Sequence, residues 1–87
     1  MTRYVVEFTS AAAREFRKLD PQLRRRLLLA IGELEADPRP TGVRKLVGFE
    51  NAWRIRVGDY RVLYEILDGV VLVTVFRIAH RREVYDR

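Results

Sequence analysis

The sequence contains no cysteine, and His80 is its only histidine. Disulfide bonds and thiolate metal sites are therefore excluded, and a single histidine argues against a zinc site. No apolar run approaches the roughly 20 residues that span a membrane, and the first residues lack the apolar core of a secretion signal. We therefore expect a cytoplasmic protein.

Catalytic groups that work with metals or nucleotides are also scarce. The sequence has no glycine-rich phosphate loop leading into a helix and no Ser-His-Asp set. Its carboxylates are scattered over predicted turns, a strand and the last residues, whereas a two-metal nuclease needs clustered carboxylates. We expect no cofactor and no metal ion.

Arginine, by contrast, is abundant. It accounts for 15 of the 17 basic residues, and the formal net charge is +5. A content of 48% hydrophobic and 33% charged residues is typical of a globular protein, and the length fits one domain spanning residues 1–87. A small basic domain is a candidate for binding a nucleic acid or an acidic protein.

The first half of the sequence predicts a strand followed by a helical hairpin. The β-branched and aromatic run 4–8 is typical of a strand, and Thr9 or Ser10 can cap the helix after it. Asp20-Pro21 predicts the start of a second helix, which ends before Pro38. The helices carry two apolar stripes at helical spacing: Ala12, Phe16 and Leu19, then Leu23, Leu27, Ile31 and Leu34.

The second half predicts strands. Residues 39–51 are loop-like with a short edge strand at 46–47, and strands follow at 53–57, 60–67 and 70–78. Gly58-Asp59 and Asp68-Gly69 have the composition of two-residue hairpin turns. The order β-α-α-β-β-β predicts an α+β fold, with an antiparallel twisted sheet and a two-helix hairpin packed on one face.

A two-residue turn at Gly58-Asp59 would place Arg56 opposite Arg61, with Arg54 on the same face of the sheet. Like charges in direct opposition across two strands are destabilising, by an amount comparable to the roughly 0.2–1 kcal/mol of a favourable cross-strand pair. Nothing in the fold requires two arginines to face each other here. A bound polyanion would turn this repulsion into attraction. A solvent face that merely carries long charged side chains is the simpler alternative.

A two-residue turn at Asp68-Gly69 would place Arg61 opposite Phe76 and put His80 on the same face as Arg61. The sequence thus predicts a phosphate-binding site formed by Arg54, Arg56, Arg61, His80, Arg81, Arg82 and Tyr85. A lone surface histidine and a tyrosine that packs on its own sheet are the alternatives for His80 and Tyr85.

Such a site suits metal-free cleavage of RNA. RNA carries its own nucleophile, the 2′-OH, so the protein needs to orient it, stabilise the charge that develops on the phosphate and transfer protons. Arginines stabilise that charge but stay protonated. The candidates for proton transfer are therefore His80, Tyr85 and, as a weaker choice, Glu83.

Three segments, "VEFTSAAAREFRKL", "RKLVGFENAWRIRVGDYRVLYEI" and "VFRIAHRREVY", resemble the RelE/ParE superfamily of bacterial toxins, the RelE branch more than the ParE branch. The resemblance implies a ribosome-dependent mRNA interferase, an endoribonuclease that cuts mRNA in the ribosomal A site without metal. It also implies a hetero-oligomer with a cognate antitoxin. The family's site residues match Arg54, Arg56, Arg61, Arg81 and Tyr85, with Arg82 as a second match for Arg81.

The sequence departs from the best-studied RelE pattern at Arg54 and Arg56, where that pattern has lysines and assigns proton transfer to one of them. Arginine keeps the positive charge but cannot readily transfer a proton. In its position near the C-terminus, His80 is similar to a histidine that other RelE relatives use. Two other functions stay open. One is a ParE-like inhibitor of DNA gyrase that shares the fold, and the other is a toxin relative without catalytic activity.

Overall fold

Five strands form one sheet in the computed structural model, which describes residues 2–84. The strands are β1 (Val5–Phe8), β2 (Arg44–Lys45), β3 (Ala52–Val57), β4 (Tyr60–Leu67) and β5 (Leu72–His80). Helices α1 (Ser10–Arg17) and α2 (Pro21–Glu33) follow β1. The strands lie in the order β1-β5-β4-β3-β2. The predicted α+β fold with two consecutive helices is confirmed.

The helices begin where the sequence predicts. The side chain of Thr9 accepts a hydrogen bond from the N–H of Ala12 (3.2 Å), and that of Asp20 accepts one from the N–H of Leu23 (3.0 Å). Pro21 lies in the first turn of α2, where its missing N–H leaves no hydrogen bond unmade. In the described part of the chain, neither helix is long and apolar enough to cross a membrane.

Both helices pack on one face of the sheet and bury their apolar stripes there. The buried core combines helix residues with alternate residues of the three central strands: Ala12, Leu27, Ile31, Leu34, Ile55, Val62, Tyr64, Ile66, Val73, Val75 and Ile78. The remaining members of the predicted stripes, such as Phe16 and Leu23, are partly buried against this core. The opposite face of the sheet is therefore left to other functions.

The sheet is mixed, so the prediction that all strands are antiparallel is wrong for β1. This strand runs parallel to β5, with Val6 opposite Val73 and Phe8 opposite Val75. Parallel neighbours need a long crossover connection, and the helices with β2 to β4 supply one. The short edge strand is Arg44–Lys45 rather than 46–47.

The register of β3 against β4 is as predicted, whereas the register of β4 against β5 is not. Residues 68–71 form a four-residue connection instead of a two-residue turn, because Asp68–Val70 is a turn of 3-10 helix and Val71 has a φ of 55°. Leu67 therefore lies opposite Leu72, two residues later than predicted.

A bulge in β5 adds one more residue to this shift. Val75 and Arg77 lie opposite consecutive residues of β4, so Phe76 is the extra residue. As a result Arg61 lies opposite Ala79, and Tyr60 lies opposite His80. Because directly opposed side chains share a face, the predicted placement of His80 on the face of Arg61 is wrong.

A polar cluster joins β1, the loop after α2 and the connection between β4 and β5. The hydroxyl of Tyr4 donates to Asp68 Oδ1 (2.6 Å), and Arg39 donates to both carboxylate oxygens of Asp68 (3.3 and 2.9 Å). These hydrogen bonds, first that of Arg39 and then that of Tyr4, hold the pKa of Asp68 below its usual value. The Arg39 guanidinium also lies 5.1 Å from the ring centroid of Trp53, within cation–π distance.

Candidate functional site

Three arginines of β3 and β4 share the sheet face that lies opposite the helices. Arg56 is directly opposite Arg61, and Arg54 is opposite Leu63. Their neighbour Ile55 lies in the core under the helices, and side chains alternate between faces along a strand. The like-charged pair that the turn at residues 58–59 predicts is therefore present.

Two of these arginines are buried. Arg54 is 7% exposed and Arg61 is 4% exposed, whereas Arg56 is exposed. Arginine is rarely buried to this extent unless it is paired, and Arg54 and Arg61 both have interaction partners within the chain. Arg61, for example, donates from Nη1 to the carbonyl of Tyr60 (3.3 Å). A guanidinium held in this way attracts an anion more strongly than a fully hydrated one, because the surroundings are less polarisable than water.

Strand β2 adds a fourth arginine to the same face. Arg44 lies directly opposite Arg54 and is exposed. The sequence prediction missed Arg44 because it placed the edge strand two residues later. We term the surface formed by Arg44, Arg54, Arg56 and Arg61 the arginine face. Its two like-charged pairs lie next to each other on β2, β3 and β4.

Arg81 lies just beyond the end of β5, close to the turn that joins β3 and β4. Its N–H donates to the carbonyl of Asp59 (2.7 Å), and its Nε lies 3.8 Å from Asp59 Oδ1. Because Ala79 is opposite Arg61, this turn holds Arg81 near the Arg61 end of the arginine face. Arg82 follows in an exposed turn.

His80 lies on the helix side of the sheet, with its ring 5.4 Å from that of Tyr60. Its Nδ1 accepts a hydrogen bond from the N–H of Arg82 (3.2 Å), and its own N–H donates to Glu83 Oε1 (3.2 Å). A neutral imidazole whose Nδ1 accepts a hydrogen bond carries its proton on Nε2, so the hydrogen bond from Arg82 defines this tautomer for His80. In this state Nε2 has no lone pair to accept a proton, and an imidazolium would lose the Arg82 bond. The geometry suits His80 to holding the turn.

The structure thus brings only part of the predicted site together. Arg54, Arg56 and Arg61 lie on one face, Arg81 lies near their end, and His80 lies on the other side of the sheet. Tyr85 lies outside the described residues. Within residues 2–84, no group of three His, Cys, Asp or Glu side chains is placed to hold a metal ion.

Comparison with known proteins identifies related sequences along almost the whole chain. The family described as "ParE toxin of type II toxin-antitoxin system, parDE" matches residues 6–85. Toxin RelG of Mycobacterium tuberculosis is 36% identical, over 97% of this chain and 98% of RelG. The mRNA interferase toxin RelE of Escherichia coli is 31% identical, over 95% of this chain and 90% of its own length.

Solved structures share the fold. A chain of the archaeal RelE-RelB complex from Pyrococcus horikoshii superposes with a TM-score of 0.82 at 26% identity, over 95% of this chain and 100% of that chain. A chain of the toxin-antitoxin complex RelBE2 from Mycobacterium tuberculosis gives a TM-score of 0.80 at 32% identity, over 93% of this chain and 94% of its own.

Proposed function

The chain belongs to the RelE/ParE superfamily of toxins from type II toxin–antitoxin systems, and we propose that it is a ribosome-dependent mRNA interferase. In this proposal the toxin enters the ribosomal A site and cuts the mRNA there, which stops translation. The name of the related E. coli toxin, an mRNA interferase, supports the proposed activity.

The observation that carries the proposal is the like-charged arginine face. Arg56 and Arg61 repel each other across the β3–β4 pair, and Arg54 and Arg61 are buried although charged. The like-charged opposition is unfavourable for folding alone, so it supports a role in binding a polyanion. A phosphate flanked by forked guanidinium donors would turn this repulsion into attraction.

The proposed reaction needs no group besides the RNA and the side chains. The 2′-oxygen of the ribose attacks the adjacent phosphorus, the bond from phosphorus to the 5′-oxygen of the next nucleotide breaks, and a 2′,3′-cyclic phosphate remains. The 2′-OH gives up its proton, and the departing 5′-oxygen takes one up. The arginine face would stabilise the extra negative charge of the transition state, with Arg81 as a further donor from the end of the sheet.

Proton transfer is the step that the arginines cannot perform, since they stay protonated. Of the two stronger predicted carriers, His80 and Tyr85, His80 lies on the helix side of the sheet and its Nδ1 accepts the N–H of Arg82. We therefore propose Tyr85 for the proton-transfer role, which requires a pKa below the usual tyrosine value of about 10. His80 is assigned the role of positioning Arg81 and Arg82.

A cognate antitoxin is the proposed protein partner. Two of the similar structures are complexes of RelE with RelB or of a toxin with its antitoxin. The exposed positive charge of Arg44 and Arg56 predicts that the antitoxin segment bound here carries acidic residues. An antitoxin with no acidic residues in its toxin-binding segment would contradict this prediction.

Cleavage on programmed ribosomes tests the proposal. Purified toxin is added to ribosomes that hold an mRNA with a defined A-site codon, and the cut is mapped by primer extension. Controls contain the mRNA without ribosomes, and a parallel reaction contains EDTA at a concentration that ribosomes withstand. We expect one discrete A-site cut that needs the ribosome. Arg56→Gln should slow it about 10²–10³-fold, whereas Arg25→Gln, which removes the same charge from the exposed side of α2, should not.

The second candidate is the ParE-like inhibition of DNA gyrase that the sequence analysis left open, and the match to a family of ParE toxins supports it. A supercoiling assay with purified gyrase separates the two functions. An uncut message, with a control toxin active in the same reaction, together with inhibited supercoiling would replace the interferase proposal. An uncut message with active gyrase would indicate a toxin relative without catalytic activity.

A further inference from the structure

Two phenylalanines form a pair on the sheet face that carries the arginines. Their ring centroids are 6.3 Å apart, and the ring planes are inclined by 35°. Phe76 is the bulged residue of β5 and follows Val75, which lies in the core under the helices. At the bulge Phe76 and Arg77 together oppose Leu63. Leu63 shares the sheet face of Arg54 and Arg61, so Phe76 is placed on that face.

Phe49 reaches this position from the loop between β2 and β3. The N–H of Leu46 donates to the carbonyl of Ala52 (2.9 Å), which closes a loop of residues 47–51. Strand β4 lies between β3 and β5, so the distance from β3 to β5 is about 10 Å. The loop must therefore fold back over the sheet for Phe49 to touch Phe76. Gly48, with a φ of 88°, supplies a backbone conformation suited to such a sharp turn.

The aromatic pair adjoins the charged residues along the sheet. Arg54, Leu63 and Arg77 lie in one row across β3, β4 and β5, and Phe76 directly precedes Arg77. The ring of Phe49 is nevertheless 55% exposed. A large aromatic surface is thus open to solvent on the sheet face that carries Arg54 and Arg61.

Single-stranded nucleic acid is the ligand that matches this combination. Its backbone is attracted by a positive surface, and its bases stack on aromatic side chains beside that surface. We propose that Phe49, held against Phe76, stacks on a base of the mRNA next to the scissile phosphate. It would thereby position the substrate and influence which codon is cut. This inference rests on the proposed interferase function and adds a base-binding residue to it.

The test combines variants of Phe49 with an altered mRNA on programmed ribosomes. The rate of A-site cleavage is measured for the wild type, for Phe49→Leu, which keeps an apolar side chain but removes the ring, and for Phe49→Tyr, which keeps the ring. Val47→Ala is the matched control, because Val47 lies in the same loop and is 77% exposed. Each protein is assayed with an unmodified codon and with mRNAs that lack one base at each position around the cut.

We expect Phe49→Leu to reduce the cleavage rate at limiting toxin about fivefold or more, while Phe49→Tyr and Val47→Ala stay near the wild type. Removal of one particular base should slow the wild type by a similar factor and leave Phe49→Leu unchanged. That lack of additivity identifies a contact between the ring and that base.

Other outcomes overturn the inference. Equal rates for the wild type and Phe49→Leu, with the wild type active, would reject the stacking role and leave the interferase function intact. Weaker binding of Phe49→Leu to the antitoxin, with unchanged cleavage, would show that the ring contacts a protein instead. A wild type that cuts no message would reject the interferase function itself, and the stacking role with it.

Discussion

Arg56 and Arg61 face each other across β3 and β4 without a structural need for two positive charges. We therefore expect Arg56→Gln to raise the free energy of unfolding by about 0.2–1 kcal/mol, although the same change should slow RNA cleavage. Urea denaturation at low and high salt measures the effect, which should shrink in high salt because the repulsion is screened.

Arg25→Gln provides the matched control for this prediction. It removes an equal charge from an exposed position on α2, and its effect on stability should lie within about 0.5 kcal/mol of zero. If Arg56→Gln is less stable than the wild type, the pair does not store repulsion, and the argument for a bound polyanion loses its main support.

His80 offers a second comparison at the level of one side chain. An asparagine at position 80 has a side-chain oxygen that can accept the hydrogen bond from the N–H of Arg82 in place of Nδ1. Unlike an imidazole, its amide group does not take up or release a proton. We expect His80→Asn to keep most of the cleavage rate and His80→Ala to lose more of it, since alanine leaves the turn without its acceptor. Rates of A-site cleavage from pH 5.5 to 8.5 give the comparison.

The opposite pattern would restore the sequence-based prediction for His80. Two results together would show that His80 carries a proton. His80→Asn would be slowed about 10²–10⁴-fold, the loss expected for a missing general acid or base. An inflection in the pH profile of the wild type would be absent from the profile of the variant. The turn would then have to rearrange on the ribosome.

Among the elements, the turn between β3 and β4 contains a glycine in a backbone conformation that other residues rarely adopt. Gly58 has a φ of 60°, and the position that a Cβ would take lies 3.2 Å from Nη2 of Arg26. We expect Gly58→Ala to lower the free energy of unfolding by about 1–2 kcal/mol. It should also weaken cleavage, because Asp59 in this turn holds Arg81. Thermal and urea denaturation, with cleavage rates, measure both effects.

Gly32 is the contrasting position. It lies within α2, and a Cβ there would meet no atom within 4 Å. Gly32→Ala should therefore raise the free energy of unfolding by about 0.5–1 kcal/mol and leave cleavage unchanged. Equal effects of the two alanines would show that the backbone conformation at Gly58 does not matter.

Across the whole molecule, the cluster of Tyr4, Arg39 and Asp68 ties distant parts of the chain together. Because its hydrogen bonds lower the pKa of Asp68, the folded state binds the proton more weakly than the unfolded state, where an aspartate has a pKa of about 3.9. The cluster therefore contributes stability above about pH 4, and this contribution is lost as the pH falls through the lower pKa of the folded state.

Asp68→Asn should accordingly be less stable than the wild type at neutral pH, and the two should converge as the solution is acidified below about pH 4. Urea denaturation at several pH values gives the comparison. Arg39→Gln removes the main cause of the lowered pKa of Asp68. The free energy of unfolding of this variant should therefore depend less on pH in the acid range than that of the wild type. A difference that stays constant down to pH 2 would mean that the carboxylate charge is not what stabilises this cluster.

Elements whose causes are local follow from the amino-acid sequence alone. The cap residues Thr9 and Asp20 start the helices, and the apolar stripes give α1 and α2 their buried faces. The glycine-containing turn at residues 58–59 sets the register of β3 and β4, and with it the opposition of Arg56 and Arg61. Each of these results depends on interactions between residues close in sequence, which composition and spacing reveal.

The way in which distant parts of the chain meet depends on packing in the folded protein. The parallel pairing of β1 with β5, the bulge at Phe76 and the contact of Phe49 with Phe76 depend on packing across the whole sheet. A change of three residues in register placed His80 and Arg61 on opposite faces of the sheet, since successive side chains of a strand alternate between its two faces. No local pattern encodes such a shift, because a connection of two residues and one of four, with a bulge after it, fit the same alternating sequence.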